Sequence, residues 1–240
     1  MPLRRKRKEA GPPFCTAVVA AAGSSSRMQG EDKQFSLLAG RPVLAHTLLA
    51  LERCPDVQEI IVVTREDRIL DVGDLCRRFE IGKAKKVVRG GATRTESVLC
   101  GALEADGRAE LLAIQDGARP LVTPELISAT IREAARSGAA APAIPVRDTI
   151  KEARDGLVLR TPDRSTLFAV QTPQVFEASL LKGALKQARE DGVQPTDDCM
   201  AVERLGMSVR LVEGDVTNLK ITVPSDLVIA EALLKEREET

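Results

Sequence analysis

Between Ala21 and Phe35 the chain reads AAGSSSRMQGEDKQF, a run of small residues whose only cations are Arg27 and Lys33. It follows an apolar stretch, Ala17 to Ala22, with the character of a buried strand. Gly23 and Ser24 to Ser26 let the backbone pass close to a ligand. Their N–H groups, with the two cations, can cradle a polyphosphate. The loop is neither a G-x-x-x-x-G-K-S/T motif nor a G-x-G-x-x-G turn, so the usual kinase and dinucleotide fingerprints are absent. Taken alone, such a loop reads as a solvated connector; the rest of the chain changes its weight.

The elements that must position this loop alternate between strand and helix. Phe14–Ala20 reads as a strand, and Pro42–Cys54 as a helix with Leu44, Leu48 and Leu51 on one face. Ile60 to Val63 is a continuous apolar run, as expected of a strand covered on both sides. Asp67–Phe79 reads as a helix, Lys86–Arg89 as a short strand and Thr95–Ala105 as a helix. Leu111–Ile114 is a further buried strand ending at Gln115–Asp116. Thr123 caps a helix with Pro124 at its first position, and Ala139–Ile144 is the next strand. The expected fold class is α/β: a Rossmann-like, mostly parallel sheet with helices on both faces.

The rhythm breaks at Pro145. From about 146 to 169 no helical pattern holds, and Asp155–Gly156 is a hairpin signal between Thr149–Lys151 and Leu157–Leu159. A protruding β-arm is expected there. Helices resume at Ala178–Glu190 and around Asp198–Leu205, with late strands at Val209–Val212 and Leu219–Thr222 and a closing helix at Pro224–Leu234. Residues 14–240 are therefore expected to be one domain with an excursion, preceded by a disordered basic tail at 1–13.

Composition narrows the function. The 240 residues carry 35 basic and 35 acidic side chains. Five of the cations fall within the tail (Arg4, Arg5, Lys6, Arg7 and Lys8), and no basic field remains to attract nucleic acid. Five Phe with no Trp or Tyr argue against a stacking platform for single strands. No apolar stretch is long enough to span a bilayer, so a soluble cytoplasmic protein is expected. The five cysteines are odd in number and form no C-x-x-C pair, which excludes a Cys-rich zinc site or a disulfide framework. His46 is the only histidine and sits in a helical pattern, so a His-based triad is excluded and a structural role is expected.

Ligands of open α/β sheets bind beyond the carboxyl ends of the strands. The polar signals fall there repeatedly: Ala21–Lys33, then Gly90, Gly91, Ala92, Thr93 and Arg94, then Asp116, Gly117, Ala118 and Arg119, then Arg147, Asp148 and Thr149. Four such clusters on one edge make a site.

At this point the motifs coincide with a known family. AAGSSSRMQGEDKQF, GGATRTESV, QDGARP, PVRDTIK, PDRSTLFAVQTPQVF, PTDD and NLKIT occur in order and near the right spacing. From about Phe14 to the C-terminus the chain resembles the 2-C-methyl-D-erythritol 4-phosphate cytidylyltransferases. The resemblance implies transfer of CMP from CTP to the phosphate of methylerythritol phosphate, releasing pyrophosphate, in isoprenoid precursor synthesis. Arg27, Lys33 and Lys220 match the family's catalytic cations. Ala21, Ala22, Gly23, Ser24, Gly90, Gly91, Arg94, Ser97 and Asp116 match its CTP-binding positions. Asp116, Arg119, Thr149, Arg164 and Thr196 match positions that hold the acceptor. Arg164 lies on the arm, which in this family reaches the neighbouring subunit, so a homodimer with shared sites is implied.

Magnesium is implied as cofactor, held mainly by the phosphates, with Asp116 as the candidate protein ligand. Asp148, Asp197 and Asp198 read as supporting or capping residues rather than metal ligands. Three positions depart from the family pattern: Ala92, where some members carry Asp, and Gln115 and Gly117 in QDGARP. A ribitol-5-phosphate or other polyol-phosphate cytidylyltransferase shares most of these motifs and is the alternative reading.

Overall fold

The computed structural model describes residues 12–23 and 32–238. Most of the basic tail, Ser24 and Arg27 lie outside the described residues. The chain begins with β1 (Cys15–Ala20), a two-residue ladder β2 (Leu37–Leu38) and β3 (Arg41–Pro42), and helix α1 (Val43–Arg53). There follow β4 (Glu59–Thr64), α2 (Ile69–Arg78), β5 (Ala84–Arg89), α3 (Arg94–Glu104) and β6 (Leu111–Asp116). Next come α4 (Pro124–Ser137), β7 (Ala139–Pro145) and the hairpin β8 (Glu152–Arg154) and β9 (Leu157–Arg160). The chain closes through β10 (Phe168–Val170), β11 (Gln174–Glu177), α5 (Ala178–Glu190), α6 (Asp198–Glu203), β12 (Arg210–Glu213) and α7 (Pro224–Glu238).

The central sheet runs β10-β7-β11-β6-β1-β4-β5, with β12 added on β7. The pairs β1–β4, β1–β6, β4–β5 and β7–β12 are parallel, whereas β11 runs antiparallel to both β6 and β7. β11 was not anticipated. Four residues between Pro173 and a helix are too short to show a period, yet Val175 and Phe176 are fully buried at the sheet centre. β10 is shorter still, three residues, and pairs antiparallel with the far end of β7.

Both faces of the sheet are covered, which is why its strands read as unbroken apolar runs. Ala17, Val19, Ile60, Val62, Leu111 and Ala113 pack toward the side of α1, α2 and α4. Val18, Val63, Leu112 and Ile114 pack toward α3 and α5. α3 lies close to β1 and β4 because Gly101 lacks a side chain: a Cβ there would stand 2.5 Å from Val18 Cγ1 and 2.6 Å from Val63 Cγ2. A third apolar cluster joins Leu38, Val43, Leu121, Ile221 and Ala230 under α7.

Local signals hold at the expected places. Thr123 Oγ1 accepts from Leu126 N at 3.2 Å with Pro124 at the first position of α4, and Gly138 ends that helix at φ 87°. Asp155 (φ 51°) and Gly156 (φ 78°) make the hairpin turn. Because a two-residue turn pairs its immediate flanks, the first arm strand is Glu152–Arg154 rather than the expected Thr149–Lys151. The strand expected at Leu219–Thr222 does not form. That segment bonds across to another element through Ile221 N, which donates to Ala118 O at 2.8 Å. His46 is structural: its Nε2 lies 2.8 Å from Leu38 O. All five cysteines are free, with Cys15, Cys54 and Cys199 buried. Among the described residues no helix is long and apolar enough to cross a membrane.

Candidate active site

Three strands end level with one another. Ala20 pairs with Val63 on one side and Asp116 on the other. Beyond them the backbone stays in register: Ala21 N donates to Val63 O at 2.8 Å, Gly90 N to Thr64 O at 2.8 Å and Gly117 N to Ala20 O at 3.0 Å. The residues that follow these ends surround a cleft of about 370 Å³. Of the residues singled out in the sequence, Ala22, Gly23, Lys33, Gly91, Arg94, Ser97, Asp116 and Lys220 line it. Gln34, Ala92, Thr93 and Ala118 complete much of the wall. Ala21 is buried behind it.

The turn from Gly90 to Ser97 is built by its own side chains. Thr93 and Glu96 form a capping box at the start of α3, with Glu96 N donating to Thr93 Oγ1 at 3.1 Å and Thr93 N to Glu96 Oε2 at 3.1 Å. Ala92 N also donates to Glu96 Oε2, at 2.8 Å. The turn fits between β1 and α3 only as glycine at position 90, where a Cβ would meet Ser97 Oγ at 2.7 Å and Ala22 Cβ at 2.8 Å. With only a methyl at Ala92, the turn is held by the Glu96 carboxylate and the Thr93 hydroxyl.

At the other wall Asp116 organises the cations. Lys220 Nζ lies 3.0 Å and Arg119 Nε 3.3 Å from Asp116 Oδ2. Burial works against the carboxylate's charge, but Lys220, Arg119 and Arg94 together hold it below the ordinary carboxylate value. Burial lowers Arg119 in turn, with Asp116 opposing. A closed ring of bonds fixes these groups. Asp116 N donates to Thr172 Oγ1 at 3.1 Å, Asn218 Nδ2 to Thr172 O at 3.0 Å, and Arg119 to Asn218 O at 2.6 Å. The segment carrying Lys220 is thus tied to the ends of β6 and β10. Gln115, one of the departures, is fully buried and its Nε2 donates to Asp116 O at 3.2 Å.

Lys33 leaves a short turn governed by Asp32. Asp32 Oδ1 accepts from Gln34 N at 3.2 Å, and its Oδ2 lies 3.0 Å from Arg65 and 3.6 Å from Arg68. Arg68 also stacks over Phe35, 5.4 Å from the ring centre. The loop's exit is therefore clamped to the residues that follow β4.

The remaining candidates stand elsewhere. Arg119 lies behind Asp116 with its side chain 11% exposed and does not line the cleft. Thr149 and Arg164 are exposed, and Arg164 donates to Arg147 O at 2.7 Å rather than pairing with Asp163. Thr196 borders a separate depression with Thr166, Phe168 and Leu211. A hollow of about 540 Å³ between α2 and β5 is larger than the cleft, but its cations are engaged: Arg77 with Asp74, Lys85 with Gly82 O and Lys86 with Glu104. Thr172, Asn218 and Gln34 were not singled out, and Asp198 only as a supporting or capping residue. Each lies inside a quoted motif, but only the fold shows what it touches.

A parallel sheet whose carboxyl edge carries a small-residue turn, two lysines and one buried carboxylate defines a nucleotidyltransferase-type site. Residues 15–236 match the family model described as 2-C-methyl-D-erythritol 4-phosphate cytidylyltransferase, and the chain belongs to that family. Relatives bearing that description include one from Halalkalibacterium halodurans, 45% identical over 93% of this chain and 98% of its own. Another, from Desulforamulus reducens, is 48% identical over 92% of this chain and 96% of its own. Among solved structures, the 4-diphosphocytidyl-2C-methyl-D-erythritol synthase of Anaerococcus prevotii superposes with a TM-score of 0.84 at 30% identity, covering 93% of this chain and 97% of that one. The Thermus thermophilus 2-C-methyl-D-erythritol 4-phosphate cytidylyltransferase gives 0.75 at 35% identity, covering 91% and 98%.

Proposed function

We propose that this chain transfers CMP from CTP to 2-C-methyl-D-erythritol 4-phosphate, giving CDP-methylerythritol and pyrophosphate. The observation that carries the reading is the convergence of Lys33, Lys220, Asp116 and the Gly90–Ser97 turn on one cleft. A phosphate oxygen of the acceptor attacks the α-phosphorus in line. The bond from that phosphorus to the bridging oxygen breaks, and its electron pair leaves with pyrophosphate. Both partners are anionic, so the protein's task is charge neutralisation and alignment rather than proton abstraction. A chain whose one histidine is structural suits that task.

Backbone groups of Ala22, Gly23 and Ser24 cradle the triphosphate, with Ala21 anchoring them to β4 from behind, and Arg27 draws the leaving pyrophosphate. Lys33 and Lys220 neutralise the charge growing at the α-phosphoryl group. Gly90, Gly91 and Ser97 read the cytosine edge, with Arg94 ordering the turn. Arg119, Thr149, Thr196 and Arg164 of the neighbouring subunit's arm hold the acceptor, in a homodimer whose arms embrace. Asp116 is the one carboxylate among the described residues lining the cleft, which fits a magnesium ion held chiefly by substrate phosphates and water. When bound, magnesium supplies further charge neutralisation to the phosphates. The free thiols support a reducing cytoplasm as the setting.

The test is pyrophosphate release from CTP with methylerythritol phosphate and, separately, with ribitol 5-phosphate. Turnover only with the second would overturn the reading. Lys33→Ala should abolish turnover in a folded protein. Arg164→Ala should chiefly raise the acceptor KM, and mixing it with an Arg27 variant should restore activity if sites are shared; no recovery argues against sharing.

A further inference from the structure

Asp198, the first residue of α6, is 1% exposed, and Arg94 Nη2 donates to its Oδ2 at 2.7 Å. Its other oxygen, Oδ1, is buried without a hydrogen-bond partner among the described residues. A half-satisfied buried carboxylate is costly, and an apolar residue would fill the space at less expense. Helix capping does not account for it: Asp197 does that work, its Oδ1 accepting from Met200 N at 2.9 Å.

What the carboxylate joins is informative. On one side Gln174 of β11 holds the 196–199 turn. Its Oε1 accepts from Asp198 N at 2.9 Å and Cys199 N at 3.1 Å, and its Nε2 donates to Asp197 Oδ2 at 2.9 Å. This turn carries Thr196, outside the nucleotide cleft. On the other side Arg94 opens α3, lines the cleft and follows the Gly90–Gly91 turn. Burial works against its charge, and the carboxylates of Asp198, Asp116 and Asp197 hold it above the ordinary guanidinium value. Arg94 thus stands between the cleft it lines and the carboxylate of the Thr196 turn, to which it is bonded. Burial raises Asp198, with Arg94 opposing.

We propose that Asp198 is a positioning residue that, through Arg94, sets the Thr196 segment against the base-reading turn and so couples CTP occupancy to acceptor binding. This rests on the reading that Thr196 holds the acceptor and the cleft holds CTP. An apolar contact could hold two segments together, but an ion pair whose cation lines the cleft lets events in the cleft alter its pull on the turn.

The experiment is a grid of initial rates over CTP and methylerythritol phosphate for the wild type, Asp198→Asn, Arg94→Lys and the double variant. In the wild type the acceptor KM should fall as CTP approaches saturation. In Asp198→Asn it should rise about ten-fold and lose that dependence on CTP, a size typical of site-to-site coupling. At saturation kcat should stay within about three-fold, since no group contacting the reacting atoms has changed. Arg94→Lys, partly exposed and expected to fold even if Asp198→Asn does not, should show the same loss of dependence. The double variant should be no worse than the poorer single. A raised acceptor KM that keeps the wild-type dependence on CTP, or an unchanged one, overturns the coupling while the reading stands. A folded wild type inactive on methylerythritol phosphate refutes the reading itself, and the inference with it.

Discussion

Lys220 Nζ lies 3.0 Å from Asp116 Oδ2, and the same oxygen takes Arg119 Nε at 3.3 Å. The lysine sits between two apolar neighbours in the chain, the partly buried Leu219 and the buried Ile221, and the carboxylate directs its ammonium toward the cleft. Asp116 therefore keeps two cations in place while itself lying below the ordinary carboxylate value, burial opposing and Lys220 leading the pull downward. Removing the lysine and removing its anchor should have different signatures. Lys220→Gln should lower kcat by about 10²–10³-fold, as for loss of one group aimed at developing charge, with only a small loss of stability because Arg119 still faces Asp116. Asp116→Asn leaves the largely covered Arg119 with the Asn218 carbonyl but no carboxylate partner and should cost about 3 kcal/mol in a urea titration. Equal loss of stability in both variants would show that the pair is only structural.

A second clamp acts on Lys33. Asp32 faces Arg65 at 3.0 Å and accepts from Gln34 N, so its carboxylate shapes the turn on which Lys33 stands. Both partners keep some solvent contact, and such pairs contribute at most about 1 kcal/mol. Arg65→Gln should therefore leave the melting temperature almost unchanged while lowering kcat, because Lys33 loses its fixed orientation. A variant with wild-type kcat would show that the turn holds without the clamp.

The alternation of strand and helix was legible because both faces of the sheet are covered, which leaves runs such as Ile60 to Val63 unbroken. The capping signals at Thr123 and Asp155–Gly156 were legible because their chemistry is local. β11 was not, since its place at the sheet centre depends on partners 60 residues before it, such as Phe176 opposite Leu112 and Gln174 opposite Ile114. The opposite error came at Leu219–Thr222, where an apolar alternation serves a segment that delivers Lys220 and packs Ile221 under α7. Of the candidate site, the residues after strand ends were readable from the general rule for open sheets. The ring through Thr172 and Asn218 was not, because it joins segments more than 40 residues apart in sequence.

Gly117, a departure in its motif, has a structural counterpart. A Cβ at that position would stand 2.8 Å from Gln34 Oε1, 3.1 Å from Leu44 Cδ1 and 3.3 Å from Ala20 O. Gln34 is 3% exposed, and this oxygen has no hydrogen-bond partner among the described residues. The glutamine can swing away, but Leu44 and the Ala20 carbonyl have less room. Gly117→Ala should cost about 1 kcal/mol, the low end for overpacking, and raise the KM for CTP as Gln34 moves at the cleft wall. Adding Gln34→Ser should return part of that stability; strictly additive losses would mean that the two positions do not interact.

His46 offers a clean test of pH dependence because it is the only histidine in the chain. Burial lowers its pKa from the ordinary 6.5, with Arg41 adding to the effect and the Leu38 carbonyl opposing it. The folded state thus takes up the proton less readily than the unfolded state. The stabilisation is complete above the unfolded value of about 6.5 and is lost as pH falls through the lower folded value. Burial moves the thiols of Cys15, Cys76 and Cys199 upward, away from this window, and any contribution from Asp198, which burial also raises, is common to the wild type and a His46 variant. The denaturant midpoint should therefore decline between about pH 7.5 and 5.5. His46→Gln retains an N–H able to reach Leu38 O but cannot be protonated, so its midpoint should stay level over the same range. A parallel decline in both proteins would assign the loss to some other group.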